Sequence, residues 1–426
     1  MELNFVWLIN VAALLCGWAF VFWFLKRVNE WYYVGRVGKV AYPPLPPGDM
    51  GWPFLGNMLS VMKCLRAGDP NSFIYNLVSR YGKTGIYKTH LLGSPTVIVC
   101  TPELCRLVLT NEEHFEPGYP KSMSLLAGRK SLHNISNVEH RLLRRLITNP
   151  ISGHQAQAIY IKHIEEIVIN SLDEWACMNK LFELFTEMKR VIFKVMTHVF
   201  MGSVNDSTFS TTQNLFYDYF EGLLSKAINI PGFTFHKAFK ARKELVKILQ
   251  SILDKKRMRA KSDDEHEGKK DMMDLLMEVE DEDGQKFVDE DIVIDEMLRT
   301  TNLFVVFREA KVDISMNGSH TIPKGWKVLV WFGIVHMDPD IYESPQDFNP
   351  SRWDTNIKAK RGTFLPFGAG SRTCPGNDLA KLVITIFLHY FLLNYKLKQL
   401  NPKSPLRFTM GLMFEDNCLA EVTKIP

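Results

Sequence analysis

A chain of 426 residues that is 46% hydrophobic and 23% charged has the balance of a globular protein with room for a large core. A formal net charge of +4 is too mild to argue for nucleic acid as a partner. Seven cysteines, odd in number and without C-x-x-C spacing, fit a reducing compartment better than a disulfide framework.

The first element in the chain is a transmembrane anchor over residues 1–25. Phe5 to Leu25 is apolar except for Asn10, and about twenty helical residues cross the roughly 30 Å hydrocarbon core. Trp7, Trp18 and Trp23 are compatible with interfacial anchoring. Lys26 and Arg27 follow directly, whereas Met1 to Asn4 carry no Lys or Arg, so the positive-inside rule places the following body in the cytosol. A cleaved signal peptide would need a basic leading region and a shorter apolar core. In this orientation the Asn-x-Ser sequons at Asn134, Asn205 and Asn317 escape glycosylation. Residues 26–60 read as a basic and proline-rich hinge. The run Pro43-Pro44-Leu45-Pro46-Pro47 favours a stiff, extended connector; it could also serve a proline-recognising domain, but its place just after an anchor favours the hinge.

Residues 61–426 form the body, in which nothing Ser/Gly-rich marks a linker. Residues 67–109 mix helical patterns with β-rich pieces such as Thr96-Val97-Ile98-Val99, predicting a small sheet. Gly82-Lys83-Thr84 is no phosphate loop, because Leu77 stands where that motif needs glycine. Glu139 to Arg145 reads as a helix with a dense basic face, on which His140 and Arg144 are i, i+4 neighbours. Such a face is either solvated surface or an anion contact. The spacing over 154–201 predicts two or three amphipathic helices with Ile161, Ile164, Ile167, Val168 and Leu172 in the core. A further pair over 215–228 and 238–253 is joined through the apolar loop 229–235. Lys255 to Asp271 is a mixed charge run suited to a solvated loop, and His266-Glu267 within it lacks the second His of a zinc helix. Glu296 and Arg299 are i, i+3 neighbours on one helix. Asn317-Gly318 and Lys324-Gly325 supply turns for a small sheet that includes Lys327 to Trp331.

The segment 363–376 is glycine-rich, carries one cysteine and precedes the apolar stretch Leu379 to Leu393. Glycines let backbone amides approach whatever lies against the loop. Cys374 stands just before a helix start, where partial positive charge favours a thiolate. A lone cysteine is no zinc site. A haem iron needs only one soft axial ligand from the protein, and a cysteine thiolate is one known choice. A buried structural cysteine at a loop-to-helix junction is the ordinary alternative.

Phe367, Gly370, Arg372, Cys374 and Gly376 fill all five positions of Phe-x-x-Gly-x-Arg-x-Cys-x-Gly. The spacing resembles the haem-binding loop of cytochromes P-450. The resemblance implies a mainly α fold with small β-sheets behind an N-terminal transmembrane helix, and an iron-bearing haem ligated by the Cys374 thiolate. It also implies that Arg372, Arg144, His140 and Arg308 approach the haem propionates, although a surface salt bridge would equally suit Arg308. Glu296 and Arg299, with Arg352 in Phe348-Asn349-Pro350-Ser351-Arg352-Trp353, resemble the family's structural Glu-x-x-Arg network. The proline run is similar to the hinge of membrane-bound eukaryotic members. The helix pair around 229–235 matches the one that roofs the family's substrate pocket. Gly48 to Pro53, Ile230 to Phe233, Phe364 to Arg372 and Phe387 to Leu392 look like the plant subfamily of beta-amyrin 11-oxidase and ent-kaurenoic acid oxidase. That likeness implies a monooxygenase of the endoplasmic reticulum membrane that oxidises a lipophilic terpenoid ring carbon. Its electrons would come from NADPH through NADPH–cytochrome P-450 reductase.

In the family a long distal helix bearing a Gly-x-Glu/Asp-Thr/Ser patch precedes the Glu-x-x-Arg helix. Here Asp289-Glu290-Asp291-Ile292, which resembles the lead-in to it, runs straight into Val293-Ile294-Asp295-Glu296, and the patch occurs nowhere in the chain. An internal deletion near 292–293 is the expectation, and with it a form impaired in catalysis or a non-catalytic membrane-anchored remnant.

Overall fold

The computed structural model describes residues 2–37, 43–128, 131–132, 134–202, 204–259, 292–301, 305–353, 362–408 and 412–425. The part of the charge run beyond Arg259, and the lead-in Asp289 to Asp291, lie outside the described residues. In chain order the helices are α1 (Glu2–Asn29), which continues through a π turn (Glu30–Val34) into α2 (Gly35–Val37), then α3 (Met58–Arg66), α4 (Asn71–Tyr81), α5 (Pro102–Thr110), α6 (Lys121–Ala127), α7 (Asn137–Ser152), α8 (His154–Cys177), α9 (Leu184–Met201), α10 (Asp206–Gly222), α11 (Thr234–Arg259), α12 (Ile292–Thr301), α13 (Phe332–His336) and α14 (Asn377–Asn394). The strands are β1 (Ile86–Leu91), β2 (Ser94–Val99), β3 (Phe115–Pro117), β4 (Phe182–Glu183), β5 (Val305–Ala310), β6 (Ile314–Met316), β7 (His320–Ile322), β8 (Lys327–Trp331), β9 (Tyr395–Gln399), β10 (Leu406–Phe408), β11 (Leu412–Phe414) and β12 (Leu419–Lys424). The fold is mainly α with small β-sheets, as expected.

These elements divide into two compact units that are discontinuous in sequence, which is why no linker composition marks them. The first comprises Met1–Gly118, Leu303–Glu343 and Arg361–Phe364. Its sheet has the order β1-β2-β8-β5-β3. β2 and β8 run parallel with Val97 opposite Val328, and the other neighbours are antiparallel. Ile74 and Leu77 of α4 pack with Tyr87, Ile98 and Trp331 in one apolar cluster. Buried Asn71 stitches it, accepting from Trp331 Nε1 at 2.9 Å and donating to the Gly333 carbonyl at 3.2 Å, so the burial of polar atoms is compensated. Asn317 and Gly318, both at positive φ, turn β6 into β7.

In this unit the helix over Asn10–Val34, α1 with its π turn, is long and apolar enough to cross a membrane, and no residue of its apolar 18-residue window is buried. Residues 26–29, which the sequence assigns to a hinge, continue the helix. The proline run is laid along the body: the Pro43 and Pro44 carbonyls accept from Thr321, and the Pro47 carbonyl accepts from the Lys88 amide. Proline cannot donate, but its carbonyl can accept, and every one of these bonds uses that group.

The second unit comprises Tyr119–Asn302, Ser344–Lys360 and Leu365–Pro426. Its centre is α8, whose Ile164, Val168, Leu172 and Trp175 pack with Val195 of α9, Val383 of α14 and Val422 of β12. The periodicity over 154–201 therefore resolves into two helices. Sheet β4-β12-β9 closes one side. The helix pair predicted beyond 215 is α10 and α11. They pack so closely that a Cβ on Gly222 would stand 2.2 Å from Ala238 Cβ.

Candidate functional site

The cysteine loop lies in the second unit from Leu365 onward. Gly368 and Gly370 take φ of +79° and +76°, a region that side chains other than glycine rarely enter. These reversals bring the Cys374 amide to the Phe367 carbonyl at 2.9 Å and the Thr373 amide to the Gly370 carbonyl at 3.1 Å. A short 3-10 turn, Gly370–Arg372, precedes the cysteine, and α14 starts beyond it with Gly376 as N-cap. The Cys374 side chain is exposed and is not in a disulfide.

Side chains of α7 and backbone carbonyls of the segment before it hold this loop from outside. Arg372 donates through Nε and Nη2 to Asn137 Oδ1, at 3.1 and 2.9 Å. It also donates to the Leu132 and Ile135 carbonyls, both at 2.9 Å. Arg144 donates to the Thr373 carbonyl, and Ser152 Oγ to the Pro375 carbonyl at 2.8 Å. Burial lowers the Arg144 pKa, and the nearby Cys374 acts in the opposite sense, so the arginine and the sulfur are electrostatically coupled. His140, one turn before Arg144, is buried at 4% exposure.

Sequence reasoning missed Asn137, which binds Arg372 twice. The available signal was Ser136-Asn137-Val138-Glu139, a capping box. Glu139 accepts from the Ser136 amide at 3.1 Å and hydroxyl at 2.9 Å, while the Glu139 amide donates back to Ser136 Oγ at 3.3 Å. That box starts α7 at Asn137 and places its side chain against the loop.

A second set of side chains meets at the segment 344–347. Arg299, 1% exposed, donates to the Pro345 carbonyl at 2.9 Å and the Asp347 carbonyl at 3.4 Å. Arg352 donates to the same Asp347 carbonyl at 3.2 Å and to that of Ser344 at 3.5 Å. The two arginines expected to share a network thus converge on one backbone oxygen. The Glu296 side chain lies outside the described residues. An ion pair the sequence reading did not find, Lys381 to Asp295 at 3.1 Å, joins α14 to α12. Arg308 belongs to the first unit, in β5, and is buried at 4% exposure. A surface cleft lined by Asp173, Ala176, Cys177, Asn179, Thr423 and Lys424 includes none of these residues and carries no part of this chemistry.

The family model for cytochrome P450 matches residues 46–294 and 291–417. The chain belongs to the cytochrome P450 family. It is 44% identical to 7,8-epoxymelianol synthase of Ailanthus altissima over 493 aligned positions, covering 100% of this chain and 98% of that one. It is 44% identical to beta-amyrin 11-oxidase of Glycyrrhiza uralensis over 494 positions, covering 100% and 99%. Against ent-kaurenoic acid oxidase 1 of Arabidopsis thaliana the identity is 40% over 469 positions, covering 94% and 95%. A retinoic acid-bound cyanobacterial CYP120A1 has the same fold, with a TM-score of 0.75 at 23% identity over 90% of this chain and 99% of that one.

Membership in this P450 family brings a haem with thiolate ligation and electron delivery through a reductase. The residues present fit that group. The Gly368, Thr373 and Cys374 amides bond to carbonyls within the loop, and the exposed Cys374 sulfur, a soft ligand, lies near the cationic Arg144 guanidinium.

Proposed function

We propose that this chain carries the haem-thiolate scaffold of a plant terpenoid monooxygenase acting on a triterpenoid ring carbon, shortened so that its oxygen chemistry is impaired. The observation that carries the substrate class is the 44% identity with beta-amyrin 11-oxidase across the full chain. Identity with ent-kaurenoic acid oxidase is lower, at 40% over 94% of the chain, so the triterpenoid reading is preferred. Cys374 would ligate the iron, Arg372, Arg144, His140 and Arg308 would face the propionates, and Phe367, Gly370 and Gly376 would line the loop's haem-facing backbone. The bound haem supplies oxygen activation, which thiolate ligation favours. Arg144 contributes positive charge beside the sulfur, and its bond to the Thr373 carbonyl holds the residue next to the ligand. Glu296, with Arg299 and Arg352, would lock the segment 344–347.

Two observations support the shortening. The family model matches in two pieces that meet at residues 291–294. The alignment to 7,8-epoxymelianol synthase has 493 positions against 426 residues here, so at least 67 are gaps in this chain. A domain-spanning helix of about 30 residues buries side chains on all faces, and total stability is only about 5–15 kcal/mol. Loss of such a helix also removes the proton relay that oxygen cleavage needs.

The anchor reading of α1 puts the body on the cytosolic face of the endoplasmic reticulum, where a membrane-bound NADPH-dependent reductase could dock. One sequon asparagine supports that side: Asn134 Nδ2, the atom a glycan would occupy, donates to the Ser124 and Gly128 carbonyls, both at 2.7 Å.

The test is expression with a plant reductase, the reduced carbon-monoxide difference spectrum, and product analysis with beta-amyrin. A weak thiolate-type band without turnover is expected. A full band with triterpene oxidation would overturn the impairment. Neither band nor haem uptake would show that the proximal scaffold does not assemble.

A further inference from the structure

Arg372 is held in a cradle built at the start of α7. Its Nε and Nη2 both donate to Asn137 Oδ1, at 3.1 and 2.9 Å. Nη1 reaches the Leu132 carbonyl and Nη2 the Ile135 carbonyl, each at 2.9 Å. A tight turn presents those carbonyls. The Asn134 and Ile135 amides both donate to the Ser131 carbonyl, at 2.9 and 3.2 Å, and the Asn134 side chain fastens the turn to the Ser124 and Gly128 carbonyls. Asn137 is fixed from the other side as the first residue of α7, where the Ser136–Glu139 capping box sets the entry of the helix. Two turns on, and so on the same face of the helix, Arg144 donates to the Thr373 carbonyl. One stripe of α7 thus grips two consecutive residues of the cysteine loop.

These four bonds orient the guanidinium without cancelling its charge, because each acceptor is neutral. A guanidinium is planar and carries its donors in a fixed fork. Two bonds from Nε and Nη2 to one oxygen therefore fix the direction of the plane as well as its position. A carboxylate at position 137 would bind the fork more strongly, but it would also neutralise it. An amide oxygen gives orientation and keeps the charge. The rotamer freedom of a long arginine side chain is then surrendered on folding and not on binding, which is how a preorganised site gains affinity. A cation fixed in plane and left charged, two residues before the soft ligand Cys374, is suited to a rigid anion, and the edge of a haem carries carboxylates.

We propose that Asn137 is a positioning residue for the anionic edge of the haem, acting through Arg372. Its carboxamide oxygen sets the plane of the guanidinium, and its neutrality preserves the charge that a propionate meets. The first residue of α7 thereby determines cofactor affinity from one remove, and an amide at that position, not a carboxylate, is what the role requires. The proposal rests on the reading of the Cys374 loop as a haem-thiolate site.

The experiment titrates the full haem-free chain in detergent with hemin and, separately, with hemin dimethyl ester, whose propionates carry no charge. Soret absorbance and quenching of tryptophan fluorescence read the binding. Asn137→Ala is expected to weaken hemin binding several-fold and to leave the ester unchanged. Asn137→Asp keeps both bonds to the guanidinium but cancels its charge. It should weaken hemin at least as much, with ester binding unchanged and the melting temperature of the haem-free protein not lowered. In an Arg372→Met background, Asn137→Ala should have no further effect on the preference for hemin over the ester. A role confined to holding the loop gives a different pattern: Asn137→Asp binds hemin like the unsubstituted chain, and Asn137→Ala loses both haems alike. Either of those results overturns the proposal, as does an unsubstituted chain that binds the two haems equally well. A chain that binds neither haem overturns the haem-thiolate reading, and this inference with it. Should Asn137→Ala fail to fold, Asn137→Asp decides by itself.

Discussion

Around Cys374, guanidinium groups bond to backbone carbonyls across elements: Arg372 of the loop to Leu132 and Ile135, and Arg144 of α7 to Thr373. The loop they fix shows one sulfur to the outside. Around Phe54 the donors are neutral amides: Asn29 to Met50 and Trp52, and Asn57 to Asp49. That loop shows one phenyl ring. Charge-assisted hydrogen bonds are roughly twice as strong as neutral ones, and both loops use them with the charge on opposite partners. In the cysteine loop the charge sits on guanidinium donors and the acceptors are neutral carbonyls. In the Phe54 loop the donors are amides and the charge sits on an acceptor, the Asp49 carboxylate, which takes bonds from Asn57 Nδ2 at 2.9 Å and the Gly51 amide at 3.1 Å.

Removing the presented group tests this contrast most severely. Cys374→Ser is expected to abolish thiolate-type haem binding in a hemin titration while leaving far-ultraviolet circular dichroism unchanged, because the loop's hydrogen bonds use backbone and not sulfur. A band that persists would place the iron elsewhere. Next in size is Arg299→Met, which takes a buried charged donor from the Pro345 and Asp347 carbonyls. It should cost roughly 3 kcal/mol in a denaturant titration. Conversely, a change below about 0.5 kcal/mol would show that Arg352 alone holds that segment.

On the amide-held side, Asp49→Asn should cost roughly 1 kcal/mol, since the carboxylate is partly exposed and its pair with Arg80 is screened. Burial would push the Asp49 carboxyl up, but bonds from Asn57, Tyr81 and the Gly51 amide, with the charge of Arg80, outweigh burial and hold it below the ordinary value. A carboxyl lowered in the folded state stabilises fully above its unfolded pKa of about 3.9, and that contribution is lost as pH falls through the folded value. The variant should therefore show a shallower acid limb in stability against pH. An unchanged limb would remove Asp49 from the account. The smallest effect is Phe54→Gly, which relieves the positive φ and should raise stability in detergent by about 0.5–1 kcal/mol. Destabilisation instead would mean that the ring packs on the protein.

Much of the cysteine loop was legible because its chemistry is local. Phe367, Gly370, Arg372, Cys374 and Gly376 lie within ten positions, and the glycines announce the backbone reversals that the structure shows at Gly368 and Gly370. Helical periodicity likewise gave α8 and α9 and the pair α10 and α11. Other parts were hidden because they pair residues far apart in the chain. Nothing near Asn29 signals that its partners are carbonyls 21 and 23 positions away, and a helix running past its apolar stretch resembles the start of a hinge. Asn137 could have been found from its capping box, yet its use by Arg372, 235 positions away, could not.

The amino-acid sequence alone specifies the kind of protein this is: an apolar N-terminal helix, a haem-thiolate loop, a Glu-x-x-Arg helix, and the family to which they belong. Each of these is written in short-range spacing, where steric and hydrogen-bonding rules act on neighbours. How the pieces are fastened emerges only on folding: α1 bonded through Asn29 to the Met50 and Trp52 carbonyls, Arg299 and Arg352 meeting at one carbonyl, and Phe54 exposed at a positive φ. Those outcomes depend on which distant backbone oxygens remain unsatisfied once the helices and strands have formed, and only the folded chain brings their donors within reach.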